Sequence, residues 1–325
     1  MIISRTPFRI TIGGGGTDLP SYYKECGGNL ISLAIDKYMY ISLKPTVIED
    51  LLKLRYSITE IVNDASLLKH DRAKASLLLH KLNSRLEINS CADLPASSGM
   101  GSSGSFLVGL LNCIRTYKKI NSEPKVLAEE ACDIEINKLK HPVGKQDQYI
   151  AAYGGLKRLE IEKNGNVNVS ELNITKSNLL NFLSNIQIFY LNHSRDASTI
   201  LKDAQKNTNH SNKIFDIVKR QSYDVINFLE KGQYDDYGLL LDEYWSIKKK
   251  LSPKISFESV DNLYTFLKNE YNILGGKIIG AGGGGFLLVY ANKNKEEIAR
   301  YMENNNYKKL HFTCDEKGST ITTNL

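Results

Sequence analysis

Apolar residues occupy alternate positions through Phe8, Ile10 and Ile12, the period-two pattern of a strand with one buried face. The same reading gives one or two strands over residues 29–45, a strand over 85–93 and another over 185–192. A short helix is predicted between the first two strands, with Thr17 or Asp18 as its N-cap and Gly27-Gly28 as its stop. A charged, leucine-rich segment over 65–82 reads as helix, and 103–117 is apolar almost all round, as a helix buried inside a domain is. A second helix follows over 122–139 with Ser122 as its cap, and residues 141–155 close on a glycine pair. Asn164-Gly165 marks a hairpin between two further strands. Beyond residue 171 the pattern changes to long helices between about 197 and 250, a helix over 259–271, and two strands joined by glycines at 277–281 and 286–292. This order of elements describes an α+β protein with a boundary near 170–180, dividing the chain into residues 1–175 and 176–325. Neither repeats nor a proline-rich linker separate the halves, so they are expected to pack tightly.

Composition narrows the class. A chain of 325 residues with 42% hydrophobic and 24% charged residues buries a full core. No apolar run approaches the ~18 residues of a membrane span, so no membrane association is expected. The N-terminus starts a strand at once, without the features of a secretory signal, and a cytoplasmic location is expected. The five cysteines are scattered and never paired as C-x-x-C, against a disulfide framework or a zinc site. A net charge of +6 permits an anionic partner, but the lysines are dispersed and lack the clustered basic face of a nucleic-acid binder.

Chemistry concentrates at three glycine-rich places and one pair of acids. Gly99-x-Gly101-x-x-Gly104 meets a dinucleotide-binding pattern between a strand and a helix, yet a second helix follows where that unit needs a strand. A Rossmann oxidoreductase is therefore the remote alternative, with a nucleotide binder lacking catalysis beside it. Residues 280–285 fit the same pattern between two strands. The physics common to these readings is a row of backbone N–H groups at the start of a buried helix, aimed at an anion. Gly99 and Gly101 let the backbone come close, and Ser102 and Ser103 add hydroxyls; a serine-rich helix cap is the plainer reading of the same residues. The pattern lacks the lysine of a Walker loop. Glu135 has Ala131, Cys132 and Leu139 on its helical face, so its carboxylate must be paired, metal-bound or turned to the margin. Asp147 follows it by twelve positions.

Taken together, these residues resemble the GHMP family of small-molecule kinases. The family's nucleotide loop, P-x-x-x-G-L-G-S-S, is matched by Pro95 through Ser103 with Met100 in place of leucine. Its N-terminal motif aligns with Pro7, Arg9 and Gly13, running on to Thr17-Asp18, and its third motif with Lys277 to Phe286. The resemblance implies a two-domain α+β architecture with the active site in the cleft between the domains, and the cofactors ATP and Mg²⁺. It also implies the roles. Pro95, Ser97, Ser98, Gly99, Gly101, Ser102 and Ser103 form the nucleotide loop, and Ser103 and Glu135 hold Mg²⁺. Asp147 accepts the acceptor's proton, and Arg9 steadies Asp147 and the transferring group. Apart from the resemblance, Lys145, two residues before Asp147, is expected to add positive charge near the phosphates, a surface lysine being the plainer reading.

Gly15 and Gly16 stand where galactokinases carry a glutamate and a histidine for the sugar; Asp18 is kept. Losing two side chains suits a bulkier or negatively charged acceptor. Residues 13–20 and 142–155 resemble the bacterial D-glycero-D-manno-heptose 7-phosphate kinases, which phosphorylate the anomeric hydroxyl on the way to nucleotide-activated heptose. On that resemblance Arg195 contacts the sugar phosphate. The expected partner is thus a small-molecule sugar phosphate. An unphosphorylated acceptor such as fucose, galactose or a hexosamine is the alternative, and the oligomeric state is not encoded in any of these features.

Overall fold

A computed structural model describes residues 1–193 and 208–324; Arg195 lies outside the described residues. Strand β1 (Ile2–Gly13) pairs antiparallel with β2 (Gly28–Pro45), a single strand of 18 residues. The length of β2 lets its two halves serve different partners. Its first half pairs β6 (Leu156–Ile161), and its second half pairs β5 (Leu86–Ala92). The hairpin of β3 (Leu52–Arg55) and β4 (Thr59–Val62) extends the β5 side, with β3 running parallel to β5. On the other side, β7 (Val167–Glu171) forms the expected hairpin with β6 across the Asn164-Gly165 turn. The last strand, β11 (Thr320–Asn324), returns to pair with β1, completing eight strands.

Helix α1 (Pro20–Cys26) is shorter than the sequence suggests and is capped by Leu19. Asp18 is not its cap because both carboxylate oxygens are engaged elsewhere, by the N–H groups of Gly16 and Gln146. The 65–82 segment resolves into a 3-10 turn and α2 (Asp71–Leu79). Helix α3 (Ser102–Tyr117) is buried at every position from Gly104 to Ile114, as its apolar sequence requires. Next comes α4 (Pro124–Cys132), starting after Glu123 with Pro124 in its first turn in place of the expected Ser122 cap. It runs into a π-helical turn, Asp133–Lys138, and α5 (Gln146–Tyr153) follows. Helices α3, α4 and α5 share a core with β2 and β6 that includes Leu107, Leu111, Leu127 and Tyr149. Helix α4, not a strand, comes directly after α3, and β2 pairs antiparallel with each of β1, β5 and β6; this is not a Rossmann unit.

After α6 (Lys176–Ser184), the second sheet takes the order β8 (Ile186–Tyr190), β10 (Phe286–Tyr290), β9 (Gly275–Ile278), all antiparallel. Helices α7 (Thr208–Lys231), α8 (Tyr234–Lys248), α9 (Glu258–Tyr271) and α10 (Lys295–Asn304) complete this half. Trp245 is fully buried against Ile255, Val260 and Leu267; burying a side chain of that size contributes about 3 kcal/mol or more. One apolar cluster continues from Ile10 and Ile12 of β1 to Val225, Tyr237 and Tyr244, so the halves are packed together as the sequence predicts. Among the described residues no helix is long and apolar enough to cross a membrane.

Candidate active site

A cleft of about 570 Å³ lies where β1, the start of α3 and the start of α5 meet α8 and the β9–β10 glycines. Of the residues picked from the sequence, Arg9, Gly15, Gly16, Asp18, Ser97, Gly99, Gly101, Ser102, Ser103 and Asp147 line it.

Arg9 organises the first wall. Its position on β1 is pinned by its own backbone, whose N–H donates to the Met100 carbonyl at 3.0 Å. Its guanidinium donates through Nε to Asp147 Oδ1 at 2.8 Å and through Nη1 to the Gly99 carbonyl at 2.5 Å; Nη2 stands 2.7 Å from the same carboxylate oxygen. One planar fork thus couples the acid to the glycine loop, a geometry an ammonium does not reproduce. Asp147 sits in the first turn of α5, partly open to the cleft. Gly104 lets α5 come this near: a Cβ there would lie 2.6 Å from the Asp147 Cβ. Gly101, in the left-handed region at φ 83°, makes the turn into α3, and no side chain caps that helix. The plain serine cap does not form. The free N–H groups of the first turn face a cleft lined by Ser102 and Ser103, the arrangement that receives an anion. Ser98 is buried, its hydroxyl without a partner among the described residues, and Pro95 is exposed at the back of the loop.

Asp18 lies below the glycine turn. Burial raises its pKa, the Gln146 N–H at 3.0 Å works against that, and the nearby Asp147 reinforces it. Gln146 itself is fixed by Thr11 Oγ1 at 2.7 Å and Ser32 Oγ at 2.8 Å. Phe215 packs on Gly16, where any Cβ would lie 2.5 Å from the ring.

Two expected residues are placed differently. Lys145 does not line the cleft; its ammonium donates to the Gly165 carbonyl and lies over the Tyr23 ring, because the β6–β7 turn offers it a nearer acceptor. Glu135 is fully buried in the π-helical turn, and its oxygens accept from Arg72 Nε at 2.6 Å and Gln148 Nε2 at 2.5 Å. The carboxylate is therefore paired, not turned to the margin. Of this pair Arg72 lines the cleft and Glu135 does not. Among the described residues no group of three or more His, Cys, Asp or Glu side chains could hold a metal.

Several lining residues lay outside the sequence reading: Thr11, Arg72, His141, Tyr244 and Lys248, with Lys277 known only as a motif position. His141 Nε2 stands 2.9 Å from Asp71 Oδ2 at the cleft. Lys248 carried a usable signal. It continues the buried stripe Leu241, Tyr244, Trp245 at helical spacing, unusual for a solvated lysine.

Comparison with known proteins agrees with this geometry. The GHMP kinases N-terminal domain matches residues 66–155 and the GHMP kinases C-terminal domain residues 226–309. The chain belongs to the GHMP kinase family, and is a phosphotransferase acting on an alcohol group. More particularly, it is 24% identical over 309 residues to the D-glycero-alpha-D-manno-heptose 7-phosphate kinase of Campylobacter jejuni, covering 91% of each chain. The crystal structure of a D-glycero-D-manno-heptose 1-phosphate kinase from Bacteroides thetaiotaomicron superposes with a TM-score of 0.81 at 22% identity, over 100% of both chains. Lactococcus lactis galactokinase, complexed with galactose, gives 0.75 at 16% identity, over 99% of this chain and 94% of that one.

Proposed function

We propose that this kinase transfers the terminal phosphoryl group of ATP to the anomeric hydroxyl of a heptose 7-phosphate, giving the 1,7-bisphosphate. The observation that carries the reading is the Arg9 fork, which holds a carboxylate beside the glycine loop. Phosphoryl transfer needs positioning and charge neutralisation more than covalent chemistry. In this reading the loop N–H groups and Ser102–Ser103 take the nucleotide's phosphates. Asp147 accepts the proton of the sugar hydroxyl as its oxygen attacks phosphorus, with Arg9 keeping the carboxylate aimed and charged. Asp18 and the N–H-rich turn at Gly15–Gly16 take the sugar. Ser103 and Glu135 would be the residues to hold a Mg²⁺ accompanying the nucleotide, where the ion would neutralise phosphate charge; Glu135 is paired with Arg72 and Gln148 here. We divide the chain at residues 1–175 and 176–325, the first part supplying loop and base; the two family matches fall on either side of this division.

A phosphorylated acceptor is supported by the likeness to heptose-phosphate kinases; the room expected at Gly16 is taken by the Phe215 ring. The test is coupled ADP release with Mg²⁺ over free and phosphorylated sugars. Heptose 7-phosphate is expected to exceed fucose, galactose and hexosamines by at least about 100-fold in kcat/KM, as for a site that pairs a charged group of its substrate and rejects analogues lacking it. Equal turnover of an unphosphorylated sugar would remove the substrate assignment. Asp147→Asn is expected to lose about 10³-fold in kcat while still binding ATP.

A further inference from the structure

Lysines 248, 249 and 250 stand together at the end of α8, and the first two have different surroundings. Lys249 reaches Asp261 at 2.9 Å. Lys248 is only 7% exposed, lines the cleft, and has no carboxylate partner among the described residues. Its Nζ donates to the Gly280 carbonyl at 2.5 Å and lies 5.8 Å from the centroid of the Tyr244 ring. An ammonium carries three donors, and one such bond leaves two for the cleft.

The place matters more than the burial. Gly280 touches the nucleotide loop, since a Cβ built there would lie 2.5 Å from the Gly99 carbonyl oxygen. That same oxygen accepts from Arg9 Nη1. Arg9 from the first half of the chain and Lys248 from the second therefore flank one backbone junction, beside Asp147. Lys277 adds a further buried amine: it is 2% exposed, donates to the Thr11 carbonyl at 2.7 Å, and burial first, then Lys248 and Arg9, hold its pKa well below the ordinary lysine value. The charged and titratable groups around Lys248 are Arg9 on β1, Lys277 on β9 and Tyr244 on its own helix, with Asp147 and Asp18 lining the same cleft; Asp147 is bonded to Arg9 and Asp18 to backbone N–H groups, so neither pairs with the lysine. Burial first, and Arg9 next, push the Lys248 pKa down to about 7. A desolvated ammonium with no carboxylate of its own is unfavourable until an anion joins it.

We propose that Lys248 is a further catalytic residue, whose ammonium contacts the phosphoryl group in transit from the nucleotide, approaching from the second half of the chain as Arg9 does from the first. Charge on the equatorial oxygens of that group is what a fixed, dehydrated cation stabilises best. The step conserves its parts: the bond from phosphorus to the acceptor oxygen forms, the bond to ADP breaks, the hydroxyl proton passes to Asp147, and the lysine keeps its protons. The inference rests on the phosphoryl-transfer reading, but not on the choice of sugar.

The experiment compares wild type, Lys248→Met and Lys248→Arg in two reactions, sugar phosphorylation and the slow transfer to water with ATP alone. Nucleotide Kd is measured by fluorescence titration, and folding by thermal melts. In Lys248→Met, kcat is expected to fall about 100-fold or more in both reactions, with Kd and acceptor KM within about five-fold. Lys248→Arg is expected to restore part of the rate. In wild type, kcat/KM for ATP should decline as the free lysine loses its proton, and in Lys248→Arg that alkaline limb should move to higher pH. A Lys248→Met enzyme keeping kcat within about three-fold overturns the proposal. So does a rise in acceptor KM alone, which assigns the lysine to the acceptor's own charge, or a change in nucleotide Kd alone. Wild-type hydrolysis of ATP without phosphorylation of any sugar sinks the acceptor reading and leaves the lysine comparison decisive; no ATP turnover of either kind overturns both.

Discussion

Asp18 shows how one side chain is held against its own electrostatics for the sake of the cleft. Its carboxyl ionises less readily in the folded protein than in the unfolded chain, because burial outweighs the N–H groups that favour the charge. A carboxyl raised in this way contributes stability that is complete below its unfolded pKa near 4 and is lost as pH rises through its folded value. Asp18→Asn removes that loss. At pH 8 the electrostatic term favours the variant, offset in part because its amide keeps only one acceptor for the two N–H groups on Asp18; the difference in Tm between variant and wild type should shift toward wild type as pH falls toward the unfolded pKa near 4. The acceptor KM should rise about ten-fold or more, as expected when one partner of a buried polar contact is lost. A Tm difference that does not move toward wild type on acidification would refute the argument. At this scale the legible residues were those with a fixed neighbourhood in sequence: Arg9, Asp147 and the loop serines each sit in a short motif. Lys248 was not legible as a site residue, because charge and composition alone give a lysine in a basic run to solvent, and only the spacing from Leu241 and Tyr244 speaks for burial.

Helices α3 and α5 cross at Gly104, and the chemistry depends on how near they come. An alanine there would bring a methyl group to 2.6 Å from the Asp147 Cβ and 3.0 Å from its carbonyl carbon. Gly104→Ala is expected to cost about 1–3 kcal/mol through overpacking and to lower kcat much more than nucleotide affinity, because the displaced group is the proposed base. A melt and a nucleotide titration together check this; an unaltered kcat would mean that α5 moves freely. Elements with long, uninterrupted patterns could be read in advance, among them β1, β2, α3 and the β6–β7 hairpin. The four-residue strands β3 and β4 are too short for a period to register. The π-helical turn after α4 could not be read either, since its sequence continues a helical pattern while the backbone widens around Glu135 and its partners.

Across the whole molecule, the second half is an excursion from a sheet that begins and ends the described chain. β11 is mostly polar, so nothing in its own pattern announced it; its partner β1 decides its structure. Ser319, just before it, meets Thr6 Oγ1 at 2.8 Å and Asn112 Nδ2 at 3.0 Å, joining the end of the chain to β1 and α3. Deleting residues 319–325 should therefore weaken the strand that carries Arg9. A Tm several degrees lower and a fall in kcat with little change in nucleotide Kd are expected, and a truncated enzyme with wild-type kcat would show β11 to be dispensable. The antiparallel register sets Ile2 opposite Asn324, so both chain ends leave from the same end of one ladder. Tension applied between those ends pulls the β1–β11 bonds apart one after another, like a zipper opened from its tab, instead of loading them together in shear. Under mechanical stress, the strand bearing Arg9 would be stripped of this neighbour first, and catalysis would fail before the bulk of either core is exposed.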